Sequence, residues 1–345
     1  MPAPSDATTF HTYREIMSQP EAWSASLEQL AAHSADFEAL ADTQHVMFAG
    51  CGSPYYLALA AAAHAQELGG CVARGVPAGE IWLNPAAVVP PGPALLITPS
   101  RSGETSEVLH AVRVFRELQR GQVLTLCAYP GRSLTGVGDL NIVLPAAQEQ
   151  SVAQTRAFSS LFLATLVVNA VRARQAQLLA DLGRLPEVCR ALFQAYAGLA
   201  HDFGRDLSID RFYFLGSGAR YGLASELSLK MKEMTLTHSE PFHFLEFRHG
   251  PRAMAGPGAL IVGLVSQANA RHERAVLDDM RAQGARTLTV GEDQVDVAFH
   301  SGLSDLAALP LYLPVLQLLA FQRALAKGLN PDAPDNLDVF VHLDG

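Results

Sequence analysis

His45-Val-Met-Phe-Ala-Gly-Cys-Gly-Ser-Pro-Tyr-Tyr-Leu-Ala58 and Arg211-Phe-Tyr-Phe-Leu-Gly-Ser-Gly-Ala-Arg-Tyr-Gly-Leu-Ala224 are two renderings of one pattern. Phe48, Gly50, Gly52, Tyr55, Leu57 and Ala58 recur as Phe214, Gly216, Gly218, Tyr221, Leu223 and Ala224, at a constant offset of 166 (48 to 214, 50 to 216). Each copy reads as an apolar strand, a Gly-x-Gly turn and a helix. The next apolar runs also correspond, Ala94-Leu-Leu-Ile97 with Ala259-Leu-Ile-Val262, and Val123–Cys127 with Arg286–Val290. Strands alternating with helical patterns imply parallel sheets covered by helices, and the fixed offset implies an internal duplication. The expected layout is an N-terminal helical segment over 1–43, a first α/β subdomain over 44–158, connecting helices over 159–204, a second subdomain over 205–328 and a C-terminal tail over 329–345.

The remaining composition narrows the class. A chain of 345 residues with 49% hydrophobic content can fill two cores, and a net charge of −9 argues against a nucleic-acid surface. Cys51, Cys71, Cys127 and Cys189 are scattered without a CxxC pair, which fits a reducing compartment and disfavours zinc or a disulfide framework. Met1–Thr9 lacks the charged and apolar regions of a secretory signal, and Leu161–Ala173, interrupted by Asn169 and Arg172, is too short and polar to span a bilayer. A cytoplasmic protein without a membrane partner is expected.

Four segments carry chemistry. Ser100-Arg-Ser-Gly-Glu-Thr105 links an apolar run to a helical pattern at Val108, Leu109, Val112 and Phe115. Hydroxyls and unpaired N–H groups at a helix start can hold a phosphate, although the same residues also serve as ordinary caps. The Gly-x-Gly turns fail the dinucleotide fingerprint, because Tyr55 and Tyr221 stand at the third glycine position. On the helix after Tyr221, Leu223, Leu227, Met231 and Met234 define an apolar arc that contains Lys230, flanked by Glu226 and Glu233. Lys232 points away. Glu246-Phe-Arg-His-Gly-Pro251 places His249 before a turn, and Glu149–Phe158 is polar and then helical. His238 and His243 lie nearby, but no HExxH spacing supports a metal site.

Taken in order, Gly50-Cys-Gly-Ser, Ser100-x-Ser-Gly-Glu-Thr105, Ser151-Val-Ala-x-Thr-x-Ala-Phe158, Glu226-x3-Lys-x-Lys-Glu233 and Glu246-x2-His-Gly-Pro251 resemble the sugar isomerase (SIS) family over nearly the whole chain. The likeness is greatest to the isomerase half of its glutamine-dependent aminotransferases, the aminosugar-phosphate synthases. The resemblance implies two tandem flavodoxin-like subdomains. It implies that Ser100, Arg101, Ser102 and Thr105 hold a sugar phosphate, with Cys51, Gly52, Ser53, Val152 and Gln154 around the sugar. Arg101 stands where the synthases have glutamine, and Pro54 and Gln154 each replace a family serine.

The same resemblance implies that Glu233 shuttles a proton between C1 and C2, that Lys230 stabilises the developing charge, and that His249 assists ring opening. In the synthases that histidine comes from a neighbouring subunit, so a homodimer is implied. This sequence begins Met1-Pro2 rather than with the cysteine nucleophile of a glutaminase, and no lysine follows Lys327, so amination from glutamine is not expected. The reaction expected is isomerisation with release of ammonia from a 6-phosphorylated hexosamine, without metal or organic cofactor. A ketose/aldose isomerase, a fructosamine-phosphate deglycase and a non-catalytic phosphosugar sensor share parts of the pattern.

Overall fold

The computed structural model describes residues 7–40 and 42–343, and these form two compact units. One, built on the first copy of the repeat, takes chain from 21–148, 156–183 and 338–343; the other takes 7–20, 149–155 and 184–337.

In the first unit, β1 (His45–Gly50), β2 (Val72–Pro77), β3 (Ala94–Ser100), β4 (Val123–Cys127) and β5 (Leu140–Val143) form a parallel sheet in the order 2-1-3-4-5. In the second, β6 (Arg211–Leu215), β7 (His238–Phe242), β8 (Ala259–Leu264), β9 (Arg286–Gly291) and β10 (Val297–Ala298) lie in the order 7-6-8-9-10. Position for position the two orders are the same, that of a flavodoxin-like sheet with its switch point between the first and third strands. The registers match as well: His45 pairs with Ala94 and Arg211 with Ala259. The duplication read from the sequence is therefore present in the topology.

The repeated turns explain the repeated glycines. A Cβ on Gly50 would lie 2.5 Å from the backbone of Pro54, and one on Gly216 would lie 2.3 Å from the Arg220 carbonyl oxygen. Only glycine lets the helix start so close to the strand end. Two positions on, Gly52 (φ 60°, ψ −127°) and Gly218 (φ 57°, ψ −133°) share one backbone conformation. The helices Ser53–Leu68 and Ala219–Thr235 follow.

Each sheet buries β-branched and aliphatic residues against its helices. In the first unit Met47, Leu96, Val112 and Phe115 form one such layer; in the second, Leu215, Ile261, Val276 and Leu277 form another. Removing these from water, at about 25 cal/mol per Å² of apolar surface, is the main force holding each layer together. The helix Arg156–Arg172 is buried along every residue after Arg156, and Trp23 donates its indole N–H to Ser159 Oγ at 2.9 Å within the same unit. The expected N-terminal helices form at His11–Met17, Gln19–Ala31 and Ser34–Glu38, with Ile16, Trp23 and Leu30 buried but Ala31 exposed. Among the described residues one segment, Leu309–Ala326, is long and apolar enough by length and composition to cross a membrane, but 83% of it is buried, as in a core helix. The four cysteines are free.

Candidate functional site

The Ser100–Thr105 loop sits at the carboxyl end of β3, beside the Cys51–Ser53 turn at the same end of the adjacent parallel strand β1. Ser100, Arg101 and Ser102 are buried. Ser100 Oγ accepts a hydrogen bond from the Gly103 N–H at 3.0 Å, and Ser102 Oγ accepts one from the Glu104 N–H at 3.3 Å. Gly103 has φ 70°, and a Cβ there would meet Cys127 Sγ at 2.7 Å and Arg132 Cβ at 2.8 Å, so this turn also requires glycine. Glu104 anchors the far side by accepting from the Ser133 N–H and hydroxyl at 3.0 and 2.7 Å, and those bonds hold its carboxyl below the usual range.

Thr105 occupies the cap position of the helix Ser106–Glu117 yet makes no side-chain cap bond, and among the described residues its hydroxyl has no partner. The capping alternative therefore does not account for Thr105. Its free hydroxyl stands at the positive end of a twelve-residue helix, where an anion is favoured.

Two features of this loop are not visible in the motif. Arg101 donates Nη2–H to the Val339 carbonyl at 3.0 Å, so part of its guanidinium holds the C-terminal tail. The same tail accepts from the Ser106 N–H through Val341 at 3.4 Å, and Leu343 donates its N–H to Ser106 Oγ at 3.1 Å. Cys51 is no thiolate: burial, with the nearby Glu107 carboxylate adding to it, pushes its thiol up to about 12. Ser53 begins the Ser53–Leu68 helix and is buried.

The second unit holds the titratable cluster. Lys230 is 1% exposed and Glu226 is fully buried. Lys230 Nζ lies 3.4 Å from Glu226 Oε1 and donates a short hydrogen bond to Glu233, which keeps 20% of its side chain exposed. An ammonium sealed on an apolar helix face needs such partners, because an unpaired charge there would cost several kcal/mol, on the order of the desolvation penalty of an ion. Glu233 alone of the three reaches an opening, a narrow cleft bordered by Leu236, Asn330, Ala333 and Asp335. A carboxylate with one oxygen on a buried cation and a face toward a cleft is arranged to exchange a proton with a bound molecule. In the sequence Glu226 stands only as a flank of the apolar arc; its full burial makes it the inner half of the charge balance. Lys232 is exposed, as the helical geometry requires.

Val152 and Gln154 belong to the same unit. Val152 donates its N–H to the Asp332 carbonyl at 2.9 Å, and Gln154 Oε1 is buried without a partner. Their segment is fixed by two carboxylates that no motif announced. Glu149 accepts from the Thr155 N–H and hydroxyl at 2.8 and 2.9 Å, and Glu15 accepts from the Gln150 N–H at 2.5 Å and from Ser151. His249 lies between the short 3-10 turns Glu246–Arg248 and Pro251–Met254. It is exposed, and among the described residues no hydrogen bond joins it to Lys230 or Glu233. His243, which no motif marks as a site residue, stacks on Tyr221 with centroids 4.0 Å apart, and burial lowers its pKa.

The sequence model of the SIS domain family matches residues 39–171 and 207–294. The glutamine–fructose-6-phosphate aminotransferase (isomerizing) of Shewanella oneidensis is 31% identical over 94% of this chain. The chain spans 57% of that relative's length. The solved glucosamine-6-phosphate deaminase of Thermotoga maritima superposes with a TM-score of 0.83 at 26% identity, over 96% of this chain and 100% of that one. The tagatose-6-phosphate ketose/aldose isomerase of Escherichia coli has the same fold, with a TM-score of 0.84 at 22% identity over 97% and 99% of the two chains.

Proposed function

We propose, from the premise that this chain belongs to the SIS domain family, that it is a phosphosugar isomerase that releases ammonia from a 6-phosphorylated hexosamine, converting glucosamine 6-phosphate to fructose 6-phosphate. The observation that carries this reading is the buried Lys230 clamped between Glu226 and the half-open Glu233. A phosphosugar sensor needs no such charge arrangement, whereas proton transfer at carbon does. The likeness to a deaminase over the whole of that protein's length supports the choice among isomerases.

Ser100, Arg101, Ser102 and Thr105 hold the phosphate, with Cys51, Gly52, Ser53, Val152 and Gln154 lining the path of the sugar. His249 assists opening of the ring, supplied in a homodimer by the other copy. Glu233 takes the proton from C2 and returns it to C1, while the ammonium of Lys230 stabilises the negative charge that builds on the sugar oxygen. The C2 enamine so formed becomes a ketose imine. Water adds to C2, the C–N bond breaks, and ammonia and the ketose phosphate leave.

The test is to incubate the protein with glucosamine 6-phosphate and follow ammonia and fructose 6-phosphate together. Equal release of both is expected, and Glu233→Gln is expected to lower turnover by about 10²–10⁴-fold, the usual worth of a positioned proton carrier. Wild-type turnover in Glu233→Gln would remove the mechanism. Stabilisation by the sugar phosphate with no release would shift the reading to another phosphosugar isomerase, a deglycase or a sensor.

A further inference from the structure

A cavity of about 380 Å³ lies within the first unit, lined by Asp42, Leu68, Gly70, Asn169, Arg172 and Arg174 among others. Its place is the amino end of the sheet. The helix Ser53–Leu68 ends there, β2 begins four residues later, and the buried helix Arg156–Arg172 finishes on the same wall. The Ser100–Thr105 loop stands at the opposite, carboxyl end of the strands. The volume is within the roughly 300–1,000 Å³ of small-molecule sites.

Three observations on this wall point to a ligand. Arg172 is 9% exposed and donates Nε–H to the Leu40 carbonyl and Nη2–H to the Thr43 carbonyl, both at 3.0 Å, with the Cys71 thiol beside it. A guanidinium has five N–H donors, so these bonds leave donors over. Burial pulls its pKa down, the mark of a cation short of negative charge. Arg174 has no side-chain partner among the described residues, and its backbone is left-handed at φ 54°. That conformation is the left-handed cap of the helix Arg156–Arg172, with the Arg174 N–H on the Val171 carbonyl at 2.9 Å and the Gln175 N–H on the Ala170 carbonyl at 2.8 Å, and it leaves the exposed guanidinium at the rim of the cavity. Asn169 is 2% exposed and donates its amide to the Ala61 carbonyl at 3.0 Å, while its carbonyl oxygen is buried with no partner.

We propose that this cavity is a second small-molecule site that takes a phosphorylated polyol, its phosphate on Arg172 and Arg174 and its hydroxyls on the Asn169 carbonyl and the Asp42 carboxylate. Two guanidiniums against one carboxylate give a locally positive wall in a chain of net charge −9, and planar N–H forks suit phosphate oxygens. The acceptors on the remaining wall suit hydroxyl donors. Nothing in the site requires the reaction proposed above.

The test titrates the full-length protein by calorimetry with inorganic phosphate and with glycerol 3-phosphate, unaltered and as Arg174→Gly. Glycine suits φ 54°, so the variant is expected to fold and to melt at the same temperature or higher. The expected result is that Arg174→Gly weakens one phosphate-binding phase at least tenfold and leaves any binding at the Ser100–Thr105 loop in place. An unchanged isotherm in Arg174→Gly would overturn the site. Binding of glycerol 3-phosphate no tighter than inorganic phosphate in the Arg174-dependent phase would overturn the polyol assignment.

Discussion

The two copies of the repeat treat the same loop in opposite ways. After β3, Ser100 Oγ accepts from the N–H three residues on, that of Gly103; after β8, Ser266 Oγ accepts from the N–H three residues on, that of Asn269, at 3.0 Å in both. In the first loop the Thr105 hydroxyl has no partner among the described residues. In the second, the chain's own Asp305 takes the place of a ligand: its carboxylate accepts from the Gln267 and Ala268 N–H groups at 3.0 Å each and from Arg220 at 2.5 Å. Backbone N–H groups and an arginine around a carboxylate are what a phosphate would also require. One loop leaves the Thr105 hydroxyl without a partner among the described residues, and the other is filled from within. On the function proposed above, the duplicated fold does not carry a duplicated phosphate site.

Removing the internal anion breaks this comparison most directly. Asp305→Ala leaves the guanidinium of Arg220, 7% exposed, with Tyr312 as its remaining hydrogen-bond partner on this wall, and leaves two N–H groups without their acceptor. Deleting one member of a buried charge pair costs about 3–5 kcal/mol, and the 21% exposure of Asp305 brings the expectation nearer about 2–4. Urea unfolding measures it. If the second loop is an anion cradle, millimolar inorganic phosphate should raise the unfolding midpoint of Asp305→Ala more than that of the unaltered chain. Equal shifts would mean that the resemblance of the two loops is one of backbone only.

What the sequence displayed and what it concealed divide along contact range. The offset of 166, the Gly50–Gly52 and Gly216–Gly218 turns and the placement of Lys230 on an apolar arc are local or periodic, and each appears in the fold where the pattern put it. Asp305 lies far down the chain from the loop it fills, Glu15 reaches Ser151 across 136 positions, and Arg101 reaches Val339 across 238. No periodicity links such residues, and each is an ordinary polar residue in its own neighbourhood. The Arg172 cavity was hidden for the same reason. Asn169 and Arg172 register in the sequence only as interruptions of an apolar run, the feature that made the helix too polar for a membrane.

A finer contrast lies at the turn itself. Gly103→Ala would force a Cβ to 2.7 Å from Cys127 Sγ at φ 70°, with a cost of about 1–3 kcal/mol for strain of this kind. Its counterpart Asn269 has φ −114° and makes no side-chain cap bond, so Asn269→Ala should stay within about 0.5 kcal/mol. Thermal melts of the two variants, with and without sugar phosphate, sharpen the comparison. A large loss in Gly103→Ala and none in Asn269→Ala places the structural tension in the loop that is open to a ligand. Equal small losses would place it in neither.

The smallest expected effect is one of sign. Glu104, which anchors the open loop through Ser133, titrates below its ordinary range; Glu273, which accepts from the Ser266 N–H and hydroxyl at 2.7 and 3.0 Å, titrates above it because burial outweighs those bonds. A depressed carboxyl contributes stability above its unfolded pKa and loses it as pH falls through the folded value. A raised one imposes a penalty at neutral pH that disappears as pH falls through its folded value. Glu104→Gln should therefore reduce the loss of stability on acidification below about pH 4, the unfolded range of a carboxyl, whereas Glu273→Gln should remove a gain that begins above it. Glu104 is half-buried and its bonds to Ser133 are open to solvent, so its effect stays under about 1 kcal/mol. Unfolding free energies of both variants between pH 3 and 7 decide the matter: slopes that change in the same direction would show that the two loops are held by the same electrostatics after all, one plugged and one open by accident of sequence rather than by charge.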